Sequence, residues 1–121
     1  MKGINQGLMD SIEFSIVAPV FNESGNLAEF YRRASAVMSQ TGENWELIFI
    51  DDGSQDNSQD LIHELSAKDA HVKPIIFARN FGHQIAVTAG LDYSRGAAVI
   101  ILDTDLQDPP EVILDLIAKW R

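Results

Sequence analysis

Two spacings of apolar residues alternate along the chain: short, nearly unbroken runs, and recurrences every three to four positions. Phe14–Val20 (F-S-I-V-A-P-V) is a β-type run that ends in a polar loop, Phe21-Asn22-Glu23-Ser24-Gly25. Asn26 then stands where it can cap a helix whose apolar residues Leu27, Phe30, Tyr31, Ala34, Val37 and Met38 recur at helical spacing, ending near Thr41-Gly42. Trp45–Ile50 is a second strand, closed by Asp51-Asp52-Gly53-Ser54. Ser58–Lys68 carries Leu61, Ile62 and Leu65 at helical spacing, and Val72–Phe77 is a third strand followed by the loop Ala78–Gly82. His83–Ser94 reads as a helix with Ile85, Ala86, Ala89 and Leu91 available for packing, closed by Gly96. Ala97–Leu102 is the fourth strand. Pro110 suits the first position of a last helix with Val112, Ile113, Leu116, Ile117 and Trp120 on its buried face.

Strands that alternate with helices and are apolar on both faces predict an α/β fold: a mainly parallel sheet of about four strands with helices on both sides. Ligands of such sheets bind beyond the carboxyl ends of the strands. Each predicted strand ends in a polar cluster, at Asn22/Glu23, Asp51/Asp52, Arg79/Asn80 and Asp103/Asp105. That convergence predicts one shared site. Residues 1–13 read as a flexible leader and 14–121 as one domain. The last helix runs to Trp120-Arg121 without an end signal, so the expectation is an amino-terminal portion of something longer.

Composition narrows the choices. A chain of 121 residues, 45% hydrophobic and 22% charged, can bury a real core as one domain. A net charge of −9 argues against a nucleic-acid partner, which needs a basic face. It also means that an anionic substrate would need a cation as intermediary. The absence of cysteine excludes disulfides and thiolate metal sites and is compatible with a reducing cytoplasm. Met1–Glu13 lacks the basic and apolar regions of a signal peptide. The longest apolar run, Ala97–Leu102, is far short of the ~20 residues that a membrane span needs. As written, the chain is expected to be soluble.

The most informative segment is I-L-D-T-D-L-Q-D-P-P-E-V (101–112). Side chains two apart on an extended strand point the same way, so Asp103 and Asp105 can share one space beyond the strand. Two carboxylates roughly 5 Å apart repel by about 3 kcal/mol at an effective dielectric near 20. A divalent cation with hard oxygen ligands offsets that repulsion, and Gln107 offers a further carbonyl oxygen. Asp108 is a candidate cap for the last helix, His83 a candidate structural or capping residue, and His63 and His71 are expected at the surface.

The set I-V-A-P-V-F-N-E (16–23), I-D-D-G-S (50–54), R-N-F-G-H (79–83) and L-D-T-D-L-Q-D-P-P-E (102–111) resembles family 2 glycosyltransferases of GT-A fold. Within them it is most similar to the polyprenyl-phosphate sugar transferases, the bactoprenol glucosyltransferases and dolichyl-phosphate mannose synthases. The resemblance implies a Rossmann-like GT-A half-domain. It implies that Asp103, Asp105 and Gln107 hold Mg²⁺ or Mn²⁺ against the diphosphate of a nucleotide-sugar. It further implies that Pro19, Phe21, Asn22 and Glu23 form a base-and-ribose pocket with Asp51 and Asp52, and that Arg79 balances the acidic pocket or touches the diphosphate. Thr104 stands where the relatives usually have Ala, and its side chain is expected to point away from the metal. The implied donor is UDP-glucose, with GDP-mannose its nearest rival, and the implied acceptor a polyprenyl (undecaprenyl) phosphate at the cytoplasmic face of the membrane. Contact with the membrane itself would come only through regions outside this chain.

Two other readings stay open on sequence grounds. One is a non-catalytic nucleotide-binding module that self-associates as a homo-oligomer to cover an open sheet edge. The other is a Mg²⁺-binding receiver-like signalling domain, against which stand the position of the richest acidic motif, after the fourth strand, and the want of a suitably placed lysine.

Overall fold

The computed structural model describes residues 11–121. Strands and helices alternate throughout: β1 (Phe14–Val20), α1 (Leu27–Gln40), β2 (Trp45–Asp51), α2 (Ser58–Lys68), β3 (Val72–Ile76), α3 (His83–Tyr93), β4 (Ala98–Ile101) and α4 (Val112–Trp120). The four strands form one parallel sheet in the order β3-β2-β1-β4. β1 and β2 lie in its middle and are buried at every position, which is why their sequences are apolar runs without a polar face. β3 and β4 are the edges, and their burial is incomplete.

Alternation along the central strands divides the core in two. Phe14, Ile16, Ala18, Leu47 and Phe49 meet the apolar stripes of α1, α2 and α4 on one face. Val17, Ile48 and Ile50 meet α3 alone on the other, around Ala86. The chain builds outward from β1 through β2 to β3, then returns across α3 to place β4 on the opposite side of β1. The order therefore reverses between β1 and β4, the kind of crevice at which open α/β sheets bind ligands. At the far end of the sheet, the buried Glu46 carboxylate accepts from the Ser15 hydroxyl at 2.6 Å and the Arg95 amide at 2.7 Å. These bonds satisfy the charge and hold the entry to β4 against β1.

Several local expectations shift. Residues 1–10 of the leader lie outside the described part, and its last residues are bound: the Asn44 side chain donates to the Ser11 carbonyl, and Ala97 N–H to that of Ile12. Asn26 is helical in φ and ψ and makes no cap; its amide donates instead to Glu23 Oε2 at 2.8 Å. β4 covers 98–101, not 97–102. α4 begins at Val112, because the consecutive prolines disfavour helix before them; the Pro109 and Pro110 carbonyls accept from Val112 and Ile113 in a preceding turn. Glu111 is its cap residue, so Asp108 is not. Of the apolar face expected for α4, Ile113 and Ile117 are buried, whereas Leu116 and Trp120 are exposed.

α3 differs most. Ile85 and Leu91, expected to pack, are exposed, and the helix touches the sheet through Ala86 and Gly90. The cause is proximity: a Cβ on Gly90 would lie 2.4 Å from Val17 Cγ1 and 2.7 Å from Ile50 Cδ1. A helix that close to a sheet leaves no room for a large inward side chain.

Candidate functional site

A cavity of about 190 Å³ opens where the strand order reverses, at the carboxyl ends of the strands. β1 and the loop after it contribute Pro19, Phe21 and Glu23, the loop after β2 contributes Asp52, and the segment after β4 contributes Asp103, Thr104 and Asp105. α3 brings His83 and Ala86 from the opposite face. Of the residues singled out from sequence, Pro19, Phe21, Glu23, Asp52, Asp103 and Asp105 thus surround one space. Asn22, Asp51, Arg79 and Gln107 stand outside its lining.

The two carboxylates of the D-T-D motif are not on a strand, because β4 ends at Ile101. Their alternation survives: Leu102 and Thr104 are buried, while Asp103 is exposed and Asp105 half-buried. Thr104 donates its hydroxyl to the Pro19 carbonyl at 3.1 Å, a buried bond between two residues of the cavity wall. That bond ties the acidic segment to the end of β1. Asp105 Oδ1 accepts the Gln107 amide at 3.1 Å, and Leu106 between them has φ 65. Asp103 Oδ1 lies 3.1 Å from His83 Nε2. His83 was expected to be structural or capping, but Gly82 precedes the helix and no side chain caps it. The signal for its placement lay in R-N-F-G-H: a residue right after a flexible glycine at a strand–helix junction faces the ligand end of the sheet.

Asp51 and Asp52 part ways. Asp51 is buried and accepts at Oδ2 from Ser54 N at 2.9 Å and Gln59 Nε2 at 3.0 Å, while its Oδ1 has no hydrogen-bond partner among the described residues. Asp52 turns to the β3–α3 loop. Its Oδ1 accepts the Phe81 amide at 2.7 Å, and its Oδ2 accepts from Gly82 N and Asn80 Nδ2, each at 3.0 Å. Gly53 beside it has φ 73 and leaves space for the Arg79–Asn80 backbone. Arg79 itself lies over the Phe81 ring, 4.2 Å from its centroid.

Asn22 also binds its own neighbourhood. It has φ 53, its Oδ1 accepts the Gln55 amide at 2.8 Å, and its own amide donates to Ser54 Oγ at 2.8 Å. Asp56 continues this stitching between the loops after β1 and β2. Burial opposes its ionisation, but the Ser58 hydroxyl and amide and the Ser24 amide outweigh that and lower its pKa to about 2. A depressed carboxylate stabilises the fold above its unfolded pKa, and the contribution fades as pH falls toward the folded value. Asp56→Asn should therefore be less stable than the parent at neutral pH. The gap between their urea midpoints should close from about pH 4 down to about pH 2. A gap unchanged across that window would mean that the charge of Asp56 does not matter.

Chemically, the described residues of the cavity join four carboxylates to one imidazole. Among the described residues no three His, Cys, Asp or Glu side chains gather into a group able to hold a metal ion alone. Two hard carboxylates completed by substrate phosphate oxygens and water are nevertheless a customary donor set for Mg²⁺, which is rarely caged by protein alone. The residues present fit a cation that arrives with a diphosphate.

Comparison with known proteins agrees with this geometry. The chain is 54% identical over 110 residues to a Bacillus subtilis protein named "Uncharacterized glycosyltransferase YkcC", an alignment covering 91% of this chain and 34% of that one. It is 47% identical over 111 residues to the undecaprenyl-phosphate 4-deoxy-4-formamido-L-arabinose transferase of Shewanella sediminis, covering 90% and 34%. It is 44% identical over 110 residues to the bactoprenol glucosyl transferase of Shigella phage SfV, covering 91% and 36%. The chain thus spans about a third of the length of these curated relatives. Among solved structures, Staphylococcus aureus TarS 1-349 superposes with a TM-score of 0.70 at 20% identity, over 88% of this chain and 32% of that one. The same TarS fragment in complex with UDP gives 0.68, covering 88% and 31%. The fold is the Rossmann-like half of a GT-A domain. The profile of "Glycosyl transferase family 2" matches residues 15–121, nearly the whole described chain, and the chain belongs to that family.

Proposed function

We propose that this chain is the donor-binding part of an inverting glycosyltransferase that moves a sugar from UDP-glucose to a polyprenyl (undecaprenyl) phosphate. The observation that carries the reading is the meeting of three strand ends and one helix start around a single acidic cavity at the reversal of strand order. The names of the relatives support a polyprenyl-phosphate acceptor, and the TarS complex supports UDP. A receiver-like role is set aside by the family match.

In this reading Asp103 and Asp105, with the Gln107 carbonyl, hold Mg²⁺ or Mn²⁺ on the donor diphosphate. Such a cation, when bound, acts as a Lewis acid that stabilises the leaving nucleoside diphosphate. Asp103 and Asp105 position that charge, and the Thr104–Pro19 bond keeps them in register with the base-binding end. Phe21 offers a ring, and Pro19, Asn22 and Glu23 shape the rim for ribose and base. Asp51 Oδ1, buried and without a hydrogen-bond partner among the described residues, would accept from a base N–H on donor binding, Asp52 fixes the loop beside it, and Arg79 balances the acidic pocket. A phosphate monoester is anionic at neutral pH, so attack on the sugar needs positioning more than a general base. The acceptor site and any membrane anchor belong to regions outside this chain; no helix among the described residues is long and apolar enough to cross a membrane. The full protein would then work at the cytoplasmic face of the membrane. This chain alone would bind donor without turning it over, as a monomer or a homo-oligomer.

The test is calorimetric titration with UDP and with GDP, in Mn²⁺ and then in EDTA. UDP should bind in Mn²⁺, GDP more weakly, and Asp105→Ala should lose the metal-dependent part altogether. Absence of binding by a folded protein sinks the donor-site reading, and preference for GDP moves the donor to GDP-mannose.

A further inference from the structure

Among the described residues, the only side chain lining the cavity that carries an N–H is the imidazole of His83. The other polar groups there are mostly engaged. Asp52 is taken up by the Phe81, Gly82 and Asn80 donors, Glu23 Oε2 by Asn26, and Asp105 Oδ1 by Gln107 N. Among the described residues, Asp103 has one hydrogen-bond partner for its carboxylate, His83 Nε2 at 3.1 Å. Asp103 sits on a segment beyond the end of β4, with no strand ladder to fix its direction.

His83, in contrast, is anchored through its backbone. Asp52 accepts the amides of Phe81 and Gly82, the two residues before it, and the Gly82 carbonyl accepts from Ala86 in the first turn of α3. The helix is in turn pressed on the sheet at Gly90. A donor whose backbone is anchored therefore meets a carboxylate with no other hydrogen-bond partner among the described residues.

We infer that His83 is a positioning residue for Asp103: its Nε2–H holds Oδ1 and sets the orientation in which the carboxylate receives the cation of the donor complex. This rests on the metal reading above and goes beyond it, by assigning the orientation of one ligand to a residue on a different element. Hydrogen-bonded partners of metal ligands fix ligand direction and raise affinity, and their loss typically weakens binding by about 10- to 100-fold. Here the side chains of His83 and Asp103 are 65% and 54% exposed, so the effect belongs at the low end.

The test is Mn²⁺ affinity in the presence of saturating UDP, read by electron paramagnetic resonance at one fixed pH. The proteins compared are the parent chain, His83→Ala, His83→Gln and Asp105→Ala, each with its melting temperature. His83→Ala should bind Mn²⁺ about five- to tenfold more weakly. His83→Gln, whose Nε2 can donate from nearly the same place, should recover most of the loss. Parent-like affinity in His83→Ala overturns the inference, and so does an equal loss in Ala and Gln, which would make the imidazole a ligand or a packing element. Parent-like Mn²⁺ binding in Asp105→Ala is a different failure: it removes the metal site itself.

Discussion

Gly53→Ala should lower the unfolding free energy by about 2–4 kcal/mol and weaken nucleotide binding with it. Two costs add. The residue sits at φ 73, where an L side chain is strained. Its Cβ would also lie 2.3 Å from the Arg79 carbonyl carbon and 2.4 Å from the Asn80 nitrogen. Both are backbone atoms, so no rotamer relieves the clash and the β3–α3 loop must retreat. That retreat carries Asn80, Phe81 and Gly82 away from Asp52, and the start of α3 away from the cavity. Urea unfolding measures the first effect and UDP titration in Mn²⁺ the second. An alanine variant within about 0.5 kcal/mol of the parent would show that the loop yields freely, as a surface position does.

Asp52→Asn should be nearly as severe, at about 2–3 kcal/mol, although it changes one atom. Both carboxylate oxygens accept, one from Phe81 N–H and the other from Gly82 N–H and the Asn80 amide. An asparagine in either orientation turns a donor toward another donor in a site where the residue is 3% exposed. The substitution also separates two roles for Asp52. If its work is to hold the loop, stability and UDP affinity fall together; if it works through contact with base or ribose, affinity falls while the urea midpoint stays. The hydrogen bonds favour the first outcome.

The sheet was legible in the sequence because β1 and β2 are buried on both faces, and such strands cannot hide among polar residues. Its parallel character followed from the helices between them, and the ligand end from the polar clusters that close each strand. The partition of Asp51 and Asp52 was less visible. Neighbouring residues on a strand face opposite ways, so one carboxylate faces Ser54 and Gln59 while the other reaches the β3–α3 loop. What they meet there depends on contacts distant in sequence. The same holds for Asn22, whose polar side chain reads as ligand-binding and in the fold also accepts from the loop after β2. α3 misled for another reason: Ile85 and Leu91 look like a packing face, but Gly90 decides which side approaches the sheet. His83 escaped because an isolated histidine carries no periodicity; only its place after Gly82, at the ligand end, gives it meaning.

The sheet's two borders are unlike. β3 carries Pro74, which has no N–H to offer a further strand, and the charged, exposed Lys73 next to it. β4 has no proline and leaves Val99 and Ile101 open, beside the exposed Leu116 and Trp120 of α4. A strand arriving from elsewhere in a longer polypeptide, or from another molecule, is turned away on one flank and welcomed on the other. Growth of the sheet is thereby biased to one side: the edge that favours an added strand is the one that leads into the D-T-D segment.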